Sequence, residues 1–133
     1  MKTAYILIAL FFLKAAHSQN EVCTIKQMQL ETYAFVTANL EAVRKNIPDH
    51  DALIEVSIFM KSQKIAYNLV SPENSYSGKN KTQIDVWSEL DKFLKHKIKA
   101  CKDEKYLMYD ELTFRIPLSD ENIQKAIKQV NGL

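Results

Sequence analysis

Glycine is nearly missing from this chain, with two residues, Gly78 and Gly132, in 133. A loop that cradles phosphate needs several glycines close together so that backbone N–H groups reach the anion. Gly-rich nucleotide-binding motifs are therefore excluded. Cysteine is scarce too: Cys23 and Cys101 stand far apart, no CxxC motif exists, and thiol–disulfide catalysis of that kind goes with it. With three prolines, no repeat and no low-complexity tract, nothing marks a linker. Histidine is sparse beyond residue 18, with only His50 and His96, and neither a nucleophile elbow nor a zinc motif is present. Asp49-His50-Asp51 gathers three potential ligands, but chain neighbours in a turn seldom converge on one metal, so it reads as a polar loop. The acidic pairs Asp103-Glu104 and Asp110-Glu111 are ordinary for turns. No metal, cofactor or catalytic set is expected, and the chain reads as non-enzymatic.

What is present begins with an export signal. Lys2 supplies a positive start, Ala4 to Leu13 is an unbroken apolar run, and Ala16 and Ser18 place small residues around a cleavage site. As a helix rising 1.5 Å per residue that run spans about 15 Å, half of a hydrocarbon core of roughly 30 Å. Residues 1–18 are expected to be a signal peptide, with an uncleaved anchor as the alternative, and residues 19–133 to be a single exported domain, periplasmic or secreted. The chain carries 18 basic and 16 acidic residues, and the leader holds Lys2 and Lys14 with no acid, leaving 16 against 16. A neutral domain offers nucleic acid no reason to bind. In an oxidising compartment Cys23 and Cys101 are read as one bridge, worth roughly 4 kcal/mol through loop closure, with two unpaired thiols as the alternative. Asn80-Lys81-Thr82 is a glycosylation sequon.

The hydrophobic period then sets out the elements. Tyr33, Val36, Leu40, Val43 and Ile47 recur at steps of three and four, predicting a helix over Ile25 to Asn46 that Pro48 ends. At Ile54 the period drops to two, with Val56, Ile58 and Met60 on one face. After Lys61-Ser62-Gln63 a second alternation sets Ile65, Tyr67 and Leu69 on a face, so the pair predicts a β-hairpin. A polar loop follows, Ser71 to Lys81, and then a helix from Thr82. Ile84, Trp87, Leu90 or Asp91, Leu94, Ile98 and Cys101 form its inner stripe. Leu112, Phe114, Ile116 and Leu118 alternate as a third strand, with Pro117 marking an edge or an end. Ser119 or Asp120 caps a last helix carrying Ile123, Ile127 and Val130, and Asn131-Gly132 closes it.

The order α-β-β-α-β-α predicts an α+β domain. Its three-stranded antiparallel sheet has the order 2-1-3, with a crossover helix on one face and helices at both termini. Three stretches, Ala52 to Met60, Lys64 to Val70 and Leu112 to Leu118, with the approach Asn39 to Pro48, resemble the C-terminal domain of TonB-type energy transducers. The resemblance spans Leu40 to Leu118. It implies a sheet whose strands pair edge-on with a short segment of another protein. No Pro-rich spacer accompanies it, so a free-standing binding domain is what it implies here.

Two partner surfaces follow. An open edge on strand two, with Lys64, Ala66, Asn68 and Val70, or on strand three, offers backbone groups to a partner's strand. The helix face with Lys92, Lys95, Lys99 and Lys102 offers an alternative, an anionic surface such as phospholipid, or an effector or inhibitor role. The leading expectation is another protein as partner.

Overall fold

The structure, a computed structural model, describes residues 24–72, 81–100 and 110–132. The expected leader, Cys23, Cys101, Asn80, Lys102 and Asp103-Glu104 lie outside the described residues, as does most of the polar loop.

The first helix arrives in two pieces. Helix α1 spans Ile25–Ala38, opened by Thr24, whose hydroxyl accepts the Gln27 N–H at 3.0 Å. Asn39 then leaves helical geometry at φ −128°, and its side chain donates to the Phe35 carbonyl at 2.8 Å. A short helix α2 resumes over Leu40–Arg44. The expected stripe is kept across the break: Tyr33, Val36, Val43 and Ile47 are buried, and Leu40 packs against them in part.

Strands β1, Leu53–Phe59, and β2, Lys64–Val70, form the hairpin. Its turn is made without glycine, and Gln63 takes the left-handed conformation at φ 60°. A strand not foreseen, β3 at Thr82–Gln83, pairs antiparallel with β2 through Asn68↔Gln83 and Leu69↔Thr82. The following helix α3 covers Ser88–Ala100, and β4, Glu111–Pro117, lies antiparallel beside β1. Helix α4 spans Asp120–Val130; Ser119 is its N-cap, accepting the Asn122 N–H at 3.2 Å, and Gly132 takes φ 79° just beyond its end.

The sheet is four-stranded, in the order β3-β2-β1-β4, and the fold is α+β. This corrects the expected three strands. The three long strands stand in the expected order, and the fourth comes from residues assigned to the start of a helix. Thr82-Gln83-Ile84-Asp85 has the composition of a helix start, but Thr82 and Gln83 are drawn into the ladder and the helix begins only at Ser88.

The sheet side chains of the hydrophobic core, Ile54, Val56, Ile58, Tyr67, Phe114 and Ile116, all belong to one face. Val36, Leu90, Leu94, Ile98 and Ile123 from the helices fill the same cluster. The helices thus cover one face, as expected of a small α+β domain. Phe35 stacks between Trp87 and Phe93, with centroids 5.9 Å and 4.3 Å away, locking α1 to α3. Arg44 donates from Nη1 to the Leu118 carbonyl at 3.2 Å and so fastens α2 to the end of β4.

Candidate functional site

The edges of the sheet follow from which way each residue turns its backbone. In an antiparallel pair, alternate residues present both N–H and C=O to one neighbour. Met60 N–H donates to the Asp110 carbonyl at 3.3 Å, which sets the even-numbered residues of β4 toward β1. Glu111, Thr113, Arg115 and Pro117 therefore turn their backbone groups outward. Two observations agree with that parity. The Arg115 carbonyl accepts the Tyr33 hydroxyl from α1 at 3.0 Å, and Pro117, with no N–H to offer, sits where none is needed. Among the described residues no strand pairs with this outer edge, and the outward N–H and C=O of Glu111 and Thr113 have no partner there.

β2 is different. Its outward groups belong to Ile65, Tyr67 and Leu69, because Lys64, Ala66, Asn68 and Val70 turn theirs to β1. Leu69 is matched by Thr82, and the Tyr67 carbonyl accepts the Ile84 N–H at 3.1 Å. Among the described residues only Ile65 remains open. The four residues expected to line this edge thus have their backbone groups engaged, and the Val70 side chain is itself buried at 1 % exposure. The second strand's edge is closed over most of its length.

Beside the open edge lies a groove of about 450 Å³ between α1, β4 and α4, walled by Tyr33, Leu53, Thr113, Arg115, Pro117 and Val130 among others. Burial pushes the Tyr33 hydroxyl above its ordinary range, so it stays protonated and serves as a donor to the strand.

On the sheet face away from the helices, Glu55 stands in the middle of β1 at 3 % exposure. Lys81 Nζ reaches its Oε1 at 2.8 Å, and Arg115 Nε and Nη2 reach its Oε2 at 3.1 and 3.0 Å. Burial by itself would raise the carboxyl, but the two cations outweigh it and hold Glu55 below the usual carboxylate range. The ion pairs of this acid with two bases lie beside the β4 edge. Glu111, exposed, lies at the other end of the strand. The Thr113 hydroxyl donates to that carboxylate at 3.2 Å and lies 3.5 Å from Ser57 Oγ.

The lysine face is partly neutralised by its own helix. Lys92 pairs with Glu89 at 3.3 Å and Lys95 with Asp91 at 2.8 Å, whereas Lys99 and His96 are exposed. Glu89 and Asp91 sit one helical turn before the lysines they meet, so the face carries acids as well as bases. Asp49 accepts the Asp51 N–H at 2.9 Å in a local turn, and the segment 49–51 is exposed. Among the described residues no three His, Cys, Asp or Glu side chains are placed to share a metal, and no helix is long and apolar enough to cross a membrane.

Sequence reasoning gave no functional role to Glu55, Glu111, Thr113 or Tyr33, placing Tyr33 in a helix stripe and Glu111 in an ordinary acidic pair. The signal for Glu55 was present, an acid in the middle of a strand that is apolar on its other face; its partners lie 26 and 60 positions away and leave no local trace. No family model matches the chain, and neither a curated protein nor a solved structure matches it.

Proposed function

We propose that this chain is a small exported binding domain that takes up an extended segment of another protein along the outer edge of β4. One observation carries the reading: Glu111 and Thr113 present backbone donors and acceptors outward, and among the described residues no strand meets them. Such an edge is a template for strand addition, in which main-chain hydrogen bonds supply affinity and alternate side chains supply choice. The groove beside it would receive every second side chain of the incoming segment at its Arg115 end. The resemblance to TonB-type domains leads to the same use of an edge, now on the strand after the crossover helix. The lysine face is less suited to a polyanion, since Lys92 and Lys95 already have acidic partners.

The test uses random extended peptides displayed against the purified chain. Because the Thr113 N–H points away from β1, a Thr113→Pro variant removes an outward donor and leaves the internal ladder intact. Selected peptides are expected to shift the amide resonances of Glu111 to Arg115 and to bind the proline variant at least tenfold more weakly. A Lys92→Gln, Lys95→Gln, Lys99→Gln variant is expected to bind as the unaltered chain does. Peptides that bind the folded proline variant equally well would overturn the reading.

A further inference from the structure

The β4 edge is complementary to itself, and we infer that its partner is a second copy of this chain, joined β4 to β4 across a two-fold axis at Thr113. This rests on the edge reading above and names the occupant. The outward residues are Glu111, Thr113 and Arg115, spaced by two. Antiparallel pairing of two such edges must match odd-numbered residues with odd, so few registers exist. Centring on Glu111 opposes two carboxylates. Centring on Leu112 sets each Glu111 against a threonine, and centring on Phe114 sets each Glu111 against a Pro117, which has no N–H. Centring on Thr113 alone opposes Glu111 to Arg115 twice and threonine to threonine once. Cross-strand pairs of opposite charge and of threonines are the favourable ones, and like charges directly opposite are unfavourable.

The charge around Arg115 supports the same register. Glu111 of a second copy would stand beside the Lys81–Glu55–Arg115 ion pairs, with its acid on the side of a base. The Arg115–Glu55 ion pair does not stand in its way, since those side chains lie on the sheet face and not along the backbone of the edge. Nor does Tyr33 block it, because a carbonyl has two lone pairs and the Arg115 oxygen accepts one bond from Tyr33. Pro117 ends the match beyond Arg115, where its N–H is lacking. The product is one eight-stranded sheet of order β3-β2-β1-β4-β4-β1-β2-β3 with both helical layers on the same side. A shared edge of about five residues is smaller than a stable interface requires, so the dimer is expected to be concentration-dependent.

Sedimentation equilibrium of the full domain between about 1 and 500 μM is the first measurement, with a rise in mass toward two copies expected. Glu111→Arg, an exposed position, sets like charges opposite twice and is expected to raise the concentration of half-dimerisation at least tenfold. Thr113→Cys reads the register directly. At the two-fold axis the paired Cα atoms stand about 5.5 Å apart, inside the range for a disulfide, so mild oxidation should give a dimer linked through residue 113. Glu111→Cys should give none above the unaltered chain, its two copies being separated by four residues of strand. A chain that stays monomeric to 500 μM and gives no 113–113 link overturns the second copy as partner. If its Glu111 to Arg115 amides nevertheless respond to an extended peptide, the edge reading survives alone; if they respond to none, both fall.

Discussion

Glu55 carries most of the polar cost of the sheet and its best compensation. A carboxylate that is 3 % exposed stays ionised because Lys81 and Arg115 hydrogen-bond it. Its carboxyl is depressed when folded, so the stability it contributes is complete above the ordinary value of 4.5 and is lost as the pH falls through the lower folded value. Glu55→Gln is expected to lower stability at pH 7 by about 1–2 kcal/mol, the cations being a third exposed and able to recover some hydration. Urea midpoints measured from pH 7 to 3 check the sign: the variant should lose less than the unaltered chain below pH 4.5. Equal losses would show that Glu55 is not the group responsible. Gln63 offers a second test. Left-handed geometry costs a residue with a Cβ about 1–2 kcal/mol, and its side chain recovers part by donating to the Met60 carbonyl at 3.1 Å. Gln63→Gly should raise stability by about 0.5 kcal/mol, whereas Gln63→Val should lower it by 1 kcal/mol or more, as thermal unfolding would record. The turn's position was legible from the polar break at Lys61-Ser62-Gln63. Its backbone angle was not, because nothing in that tripeptide favours a positive φ.

Among the elements, α3 shows how far periodicity reaches. Spacing alone placed Leu94 and Ile98 on an inner face and left Leu90 or Asp91 for the turn before; Leu90, Leu94 and Ile98 are 0 %, 0 % and 1 % exposed. Leu94→Ala is expected to cost about 3 kcal/mol, the usual loss for a leucine emptied from a packed interior. Lys95→Gln on the opposite face should cost less than about 0.5 kcal/mol, since its pair with Asp91 is an exposed one. Denaturant titration of the two variants would separate the faces; comparable losses would mean the helix is rotated from the orientation described. Where periodicity misled was at the ends. Ile84 and Trp87 fit the stripe, yet they precede the helix that begins at Ser88 and pack against the core from there. A two-residue strand such as β3 has too few alternations to be seen, and its pairing depends on a neighbour more than ten residues back. The break at Asn39 was equally hidden, because Leu40 and Val43 continue the apolar stripe straight across it.

At the scale of the molecule, everything is arranged around β1. Among the described residues it is the one strand with two long neighbours, and both of its faces are closed, Ile54, Val56 and Ile58 at 0 % exposure on one side and Glu55 and Ser57 at 3 % and 6 % on the other. Its amides can exchange with solvent only when the whole sheet opens, whereas outward groups at an edge need no unfolding at all. Native-state hydrogen exchange is therefore expected to find Val56 and Ser57 slowest, with free energies equal to that of global unfolding. Ile65 and Thr113, whose N–H groups point away from the sheet on opposite sides, should be fast. Slow exchange at Ile65 in dilute solution would mean that β2 has a covering strand beyond β3, and the choice of β4 as the binding edge would lose its basis. The two fast amides should part company on concentration. Joining β4 to β4 buries the Thr113 N–H in a new ladder and leaves Ile65 at the far end of the sheet unchanged, so protection that grows at Thr113 alone is the signature of strand addition. Protection that grows at both, or at neither, would place any self-association on some other surface.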